Sequence, residues 1–204
     1  MKITLGETHM TTLFRKSVLA ASIAIATAYA PIASAVNVDL ELVLLTDLSG
    51  SVDTNDFNLM QSGYVSAFQN TTVQNAITSG TYKQIAVTMV YFADSAVQSI
   101  GWTLIDSATT ANSFASSILS VGRPFSGSTG LTSGMTLASS LFANNGFEGT
   151  RQVIDVVGDG SESVQCSFSS MTCTPLQTAR NNALNNLGVD AINALWIDDR
   201  DFFG

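Results

Sequence analysis

Hydrophobic and polar positions divide residues 39–197 into alternating strands and helices. Residues 39–46 begin with alternation and become a continuous apolar run, which is typical of a central strand covered on both faces. Residues 54–70 carry hydrophobic side chains at helical spacing, with Asp53 or Thr54 as the expected N-cap. The same patterns predict further strands at 84–92, 96–104, 151–157 and 189–197, and further helices at 107–119, 131–142 and 175–187.

This order of elements predicts an α/β three-layer sandwich with helices on both faces of a mostly parallel central sheet. The strand at 96–104 is expected to be short, and its tight connection to the strand at 84–92 predicts that the two are antiparallel. Ligands bind beyond the carboxyl ends of the strands in such sheets. The functional residues are therefore expected just after residues 46, 157 and 197.

The N-terminus has the pattern of a secretory signal peptide. Arg15 and Lys16 precede an apolar stretch at 18–30, and Ala33-Ser34-Ala35 is a small-residue cleavage pattern. A retained membrane anchor is the alternative, but the apolar run is shorter than the roughly 20 residues that a span needs. We expect residues 1–35 to be removed, residues 36–204 to form the domain, and the protein to be exported to the periplasm or the cell exterior.

The composition and charge narrow the possible partners. The chain is 46% hydrophobic and 12% charged, which suits a packed core. Loss of residues 1–35 removes three basic residues and one acid, and moves the formal net charge from −8 to −10. A protein this acidic is a poor partner for nucleic acid or an anionic membrane, but it attracts cations.

The cysteine count fits an exported protein, and the histidine count limits the possible catalytic and metal sites. Cys166 and Cys173 are the only cysteines and are expected to form a small disulfide loop; unpaired thiols or a redox pair are the alternatives. The sole histidine, His9, lies in the segment expected to be removed. The mature chain therefore offers no histidine for a catalytic triad or a zinc site.

Three oxygen-bearing side chains follow the first predicted strand at alternate positions. Asp47, Ser49 and Ser51 are hard ligands suited to Mg²⁺ or Ca²⁺, and Gly50 permits a sharp backbone path between the serines. The pattern alone is weak, since Ser49 or Ser51 would also serve as a cap for the next helix.

Two later residues complete a recognisable set. Thr129 lies in a glycine-rich loop just before a helix, and Asp159 directly follows the strand at 151–157. With the residues at 47–51, they resemble the von Willebrand factor A family, whose metal-ion-dependent adhesion site has DxSxS, then Thr, then Asp. The resemblance covers the mature chain. More narrowly, residues 38–44, 63–64, 102–106 and 153–160 look like a bacterial exported subgroup, the DUF1194 family.

The resemblance implies a bound divalent cation, with Mg²⁺ expected and Mn²⁺ or Ca²⁺ possible. Ser49 and Ser51 would bind it directly, and Thr129 directly or through water. Asp47 and Asp159 would act mainly through water and orient the serines. The cation keeps an open coordination position, which an Asp or Glu carboxylate of a protein partner completes. The resemblance therefore implies a cation-dependent binding or adhesion module.

Two other functions stay open. A metal-assisted hydrolase or phosphatase-like enzyme would use Asp47 as nucleophile or Asp159 as base. Against it, the loop after residue 46 lacks a second acid, no P-loop pattern occurs, and Lys83 lies at the wrong end of its strand. A non-catalytic domain whose cation only stabilises the fold is the other alternative.

The sequence also departs from the family pattern near its end. The family fold adds at least one helix and usually a strand after the last strand predicted here, so we expect the domain to be truncated. Asp198, Asp199 and Asp201 follow that strand, either as a rim or second cation site or as a solvated loop. Asp155 lies within a strand and is expected to be structural.

Overall fold

A five-stranded sheet lies at the centre of the protein, and helices cover both of its faces. The computed structural model describes residues 35–167 and 172–197, which belong to one compact unit. The strands are β1 (Val36–Val38), β2 (Leu40–Asp47), β3 (Ile85–Phe92), β4 (Ala96–Ile105), β5 (Phe147–Gly149), β6 (Gln152–Gly158) and β7 (Ala191–Trp196). The helices are α1 (Thr54–Gln69), α2 (Thr71–Ile77), α3 (Ala108–Val121), α4 (Leu131–Ser140) and α5 (Thr174–Asn186).

The strand order in the central sheet is β4-β3-β2-β6-β7, and β1 pairs with β5 in a separate two-stranded parallel sheet. In the central sheet only β4 is antiparallel to its neighbour, which confirms the predicted topology. At ten residues β4 is one residue longer than the predicted strand at 96–104 and is not a short strand, and its pairing with β3 is irregular between Val87 and Val90.

The core has one apolar layer on each face of the sheet, as a three-layer sandwich requires. Leu44 of β2 packs into a cluster with α1 and α3, where the rings of Phe68 and Phe114 meet edge to face. Its neighbours Val43 and Leu45 face the opposite cluster, with α4 and α5. Alternate residues of β2 thus bury opposite faces, as expected for a central strand.

The start of α1 resolves the question of its cap. Asp53 is the N-cap: its side chain accepts from the backbone N–H groups of Asn55 and Asp56, and the Asp56 carboxylate accepts from the Asp53 N–H. The alternative in which Ser49 or Ser51 caps this helix is wrong, since a closer carboxylate already satisfies its first turn. Neither serine hydroxyl takes part in this cap.

Three short elements do not follow from the hydrophobic pattern. Helix α2 is a separate seven-residue helix, because Asn70 ends α1 and its side chain caps the N–H groups of Thr72 and Val73. Strands β1 and β5 have three residues each and form by pairing with each other across more than a hundred positions. No local periodicity can reveal such a pair.

Several expectations concern export and the chain ends. Cys166 and Cys173 form the predicted disulfide. No helix within 35–167 or 172–197 is long and apolar enough to cross a membrane. The predicted signal peptide, apart from its last residue, and Asp198, Asp199 and Asp201 lie outside the described residues.

A buried carboxylate joins the start of β2 to the segment that forms β5. Glu41 has no exposed surface. Its Oε1 accepts from the Gly149 N–H at 2.6 Å and its Oε2 from the Asn145 side chain at 2.5 Å. A Cβ on Gly149 would lie only 2.9 Å from Glu41 Oε1, so the glycine leaves the room that this contact needs.

Replacement of Glu41 by alanine is expected to lower the free energy of unfolding by about 2 kcal/mol, because it leaves two partly buried donors without their acceptor. Glu148→Ala removes the same charge from an exposed position nearby and is the matched control, with an expected change within about 0.5 kcal/mol. Urea unfolding measures both. Equal stability of the two variants would contradict this role for Glu41.

Candidate metal centre

The loop after β2 is built around a buried aspartate. Asp47 is the last residue of β2 and has no exposed surface; its Oδ1 accepts from the Ser49 N–H at 2.7 Å. The loop is also fixed from outside, since the Leu48 N–H donates to the Phe92 carbonyl and the Gly50 N–H to the Gly127 carbonyl. The carboxylate and the backbone together hold the two serines in place.

The candidate oxygen atoms converge at the carboxyl ends of β2 and β6. The hydroxyl oxygens of Ser49 and Ser51 are 3.2 Å apart, and the Ser51 hydroxyl donates to Asp159 Oδ1 at 2.7 Å. Thr129 lies beside them: a Cβ on Gly160 would be 2.9 Å from Thr129 Oγ1 and 3.6 Å from Ser51 Oγ. The fold therefore brings together residues from three separate parts of the sequence.

The second carboxylate oxygen of Asp47, Oδ2, is buried from solvent. Oδ2 has no hydrogen-bond partner among the described residues. Burial raises the pKa of Asp47 to about 6, against the opposing effect of hydrogen bonds from Ser49; Asp159 raises this pKa further and Arg123 lowers it. A buried oxygen that lacks a donor is a position that a cation or its bound water would satisfy.

The donor set suits a hard divalent cation. It consists of two carboxylates and three hydroxyls, which Mg²⁺, Mn²⁺ and Ca²⁺ accept and which softer metals disfavour. Across 35–167 and 172–197, no group of three or more His, Cys, Asp or Glu side chains is placed to hold a metal. A cation at this centre would therefore depend on the hydroxyl groups. Gly160, which lacks a Cβ, leaves space beside Thr129 and Ser51.

Two residues of this region have no signal in the sequence pattern. The Arg123 guanidinium donates to the carbonyls of Leu48 and Ser49 from a loop more than seventy positions away. Glu162 is buried against the start of α4, where it accepts from the Thr132 N–H. Both contacts join distant segments, so only the folded chain reveals them.

The remaining polar candidates lie elsewhere. Asp155 sits within β6, three residues before its end, and accepts from the Asn193 side chain of β7 at 2.6 Å. Lys83 precedes β3 and so lies at the opposite end of the sheet from Asp47. Neither residue contributes to the convergent oxygen atoms.

Comparison with solved structures shows the fold. The von Willebrand factor type A protein from Catenulispora acidiphila matches with a TM-score of 0.52 and 14% identity, over 78% of this chain and 33% of that chain. An aerotolerance-related membrane protein from Bacteroides fragilis matches with a TM-score of 0.50 and 17% identity, over 77% of this chain and 67% of that chain. The pilus adhesin SpaC from Lactobacillus rhamnosus GG is 20% identical, with a TM-score of 0.46, over 61% of this chain and 16% of the adhesin. The chain thus spans only a small part of the adhesin and about a third of the Catenulispora protein.

Comparison by sequence shows the family. No curated protein matches the chain. The family described as "Protein of unknown function (DUF1194)" matches residues 37–203, which is nearly all of the sequence after the predicted signal peptide. The chain belongs to the DUF1194 family, and its fold is that of a von Willebrand factor A-type domain.

Proposed function

We propose that this protein is an exported binding module that holds a divalent cation, foremost Mg²⁺, and uses it to bind a carboxylate on a protein partner. The cation would be held by Asp47, Ser49, Ser51, Thr129 and Asp159. The observation that carries the proposal is the buried Asp47 Oδ2, which has no hydrogen-bond partner among the described residues. In the same loop the Ser49 and Ser51 hydroxyls lie 3.2 Å apart, and the Ser51 hydroxyl donates to Asp159.

Each residue would have a distinct part. The neutral hydroxyls of Ser49, Ser51 and Thr129 would bind without cancelling the ion's charge. Asp159 already accepts a hydrogen bond from the Ser51 hydroxyl. The lone pairs of the Ser51 oxygen therefore point away from the carboxylate. The Asp47 carboxylate accepts a hydrogen bond from the Ser49 N–H and so fixes the backbone at Ser49. The bound ion would supply a concentrated positive charge with room for one further oxygen ligand.

The exposure pattern favours a partner that approaches from solvent. Asp47, Ser49, Thr129 and Asp159 are buried, whereas Ser51 and Gly50 are exposed at the surface of the loop. The chain has a formal net charge of −8, so it would repel an acidic group in the absence of a cation. Partner binding would therefore depend on the cation.

The same geometry disfavours the enzyme alternative. A nucleophilic Asp47 would have to reach its substrate, yet this side chain is fully buried and its Oδ1 is held by Ser49. A general base must be free to take a proton, and Asp159 is buried and already accepts from Ser51. Binding is therefore the function that this arrangement supports best.

Calorimetric titration with Mg²⁺, Mn²⁺ and Ca²⁺ tests the site directly. We expect saturable binding of one ion per chain, weakened at least tenfold in a Ser49→Ala/Ser51→Ala variant. Ser116→Ala/Ser120→Ala removes two hydroxyls from the exposed face of α3 and should bind like the wild type. A folded wild type that binds none of the three ions would refute the proposal.

Metal removal separates a ligand-binding ion from a purely structural one. A ligand-binding site can empty with the fold intact, so the protein in EDTA should keep its circular dichroism spectrum and unfold cooperatively. Mg²⁺ at a hundred times its Kd should then add about 2.7 kcal/mol to the free energy of unfolding. Loss of the folded state in EDTA would instead favour a cation that only stabilises the fold.

The raised pKa of Asp47 predicts a pH dependence in metal-free protein. Folding favours the protonated form when the folded pKa, about 6, exceeds the ordinary value of 3.8. That contribution is fully present below pH 3.8 and is lost as the pH rises through about 6. Asp47→Asn does not titrate at this position. Relative to this variant, the wild type should lose on the order of 2 kcal/mol between pH 4 and pH 7.

Urea unfolding of both proteins in EDTA, at several pH values, measures this difference. Carboxylates remote from Asp47 are the same in both proteins, so their contributions cancel from the comparison. A stability difference that stays constant from pH 4 to pH 7 would show that Asp47 is not destabilised as an anion.

A further inference from the structure

The loop after β6 holds Thr129 as well as supplying Asp159. The Thr129 N–H donates to the Ser163 hydroxyl at 2.9 Å, and the Thr129 carbonyl accepts from the Ser163 N–H at 2.8 Å. The N–H and the carbonyl of Thr129 are thus both bonded to Ser163, which lies four positions after Asp159. A shift of this loop would move two candidate cation ligands together.

A buried glutamate fixes the same loop to the start of α4. Glu162 is only 4% exposed. Its Oε2 accepts from the Thr132 N–H at 2.5 Å, and its Oε1 accepts from the N–H groups of Val164 and Gln165 at 2.9 and 3.0 Å. The carboxylate therefore joins the second residue of α4 to its own loop.

Glu162 takes the place of a missing helix cap. The N-cap of α4 is Gly130, which has no side chain to accept from the first turn. A carboxylate at this position satisfies an unpaired N–H and also interacts favourably with the helix dipole. Burial raises the pKa of Glu162, but hydrogen bonds from Thr132, Gln165 and Val164 outweigh it, so the net shift is downward. The group is ionised at neutral pH.

The Thr129 segment is also fixed by the two residues that follow β3. The Gly130 N–H donates to the Ala93 carbonyl at 2.9 Å, and the Ser128 N–H donates to Asp94 Oδ1 at 2.8 Å. A Cβ on Gly130 would collide with the Ala93 carbonyl, so the segment lies directly against that strand end. The Thr129 segment is therefore held both by the residues that follow β3 and by the loop that contains Glu162 and Ser163.

We propose that Glu162 and Ser163 are positioning residues that set the cation affinity of the centre by holding the Thr129 hydroxyl next to Ser51. This inference rests on the proposed function, since it assigns how one of the proposed ligands is held. Neither residue would touch the cation. Residues that orient metal ligands typically change metal affinity by 10- to 100-fold when they are removed.

The test measures the Kd for Mn²⁺ of the full chain by calorimetry. Glu162→Gln keeps the size of the side chain, but its amide N–H₂ group cannot accept hydrogen bonds from the surrounding backbone N–H groups. Ser163→Ala removes only the hydroxyl that accepts from the Thr129 N–H. Each is expected to weaken Mn²⁺ binding about tenfold. Glu148→Gln makes the same chemical change at an exposed position and should leave the Kd unchanged.

A double-mutant cycle with Thr129→Ala separates positioning from a general loss of stability. If Glu162 and Ser163 act through Thr129, each substitution should have no further effect on the Mn²⁺ Kd once the threonine hydroxyl is absent. A purely structural role would give the same fold-change with and without that hydroxyl. If Glu162→Gln fails to fold, Ser163→Ala completes the cycle alone.

The outcomes distinguish the two proposals. No Mn²⁺ binding by the folded wild type overturns the proposed function itself. Binding that is weakened by Ser49→Ala/Ser51→Ala but is unchanged by Thr129→Ala, or by both Glu162→Gln and Ser163→Ala, overturns only the positioning role. Additive effects in the cycle overturn it as well.

Discussion

The parallel pairing of β2 with β3 and β6 is the constraint on which the candidate centre depends. The register places Asp47 opposite Phe92, and Thr46 opposite Val157, so β2 ends beside both neighbours. Asp159 follows β6 at once and lies within hydrogen-bond reach of Ser51. A shift of one residue in β2 would turn Asp47 to the other face of the sheet and bury different side chains. The apolar layers on both faces therefore fix the position of the centre.

The electrostatics of the centre follow from that buried register. Asp47 is removed from solvent at the end of a buried strand, and among the residues that the structure describes only one of its two oxygens accepts a hydrogen bond. An ionised carboxylate in such a place costs free energy unless a positive charge or a donor compensates it. The Arg123 guanidinium, bonded to the carbonyls of the same loop, gives partial compensation. A divalent cation held by the neighbouring hydroxyls would compensate it further.

Much of the fold could be predicted because its strands are long and their burial is regular. The apolar run at 39–46 predicts a buried central strand in a mostly parallel sheet. The tight link before residue 96 predicts one antiparallel strand in that sheet. Strands β1 and β5 and the Glu41 contacts were missed, since they depend on pairing between distant segments. At the centre, spacing alone indicated Asp47, Ser49 and Ser51, and the resemblance added Thr129 and Asp159. Arg123, Glu162 and Ser163 could not be found in this way, because ordinary loop residues acquire their contacts only on folding.

The central claim is that the hydroxyls and carboxylates at the ends of β2 and β6 hold a cation. Anomalous diffraction from crystals of the protein grown with Mn²⁺ tests this most directly, because anomalous scattering distinguishes the ion from the other atoms of the protein. We expect a strong anomalous peak bounded by the hydroxyl oxygens of Ser49, Ser51 and Thr129. The absence of a peak there at a Mn²⁺ concentration that occupies other sites in the crystal would contradict it.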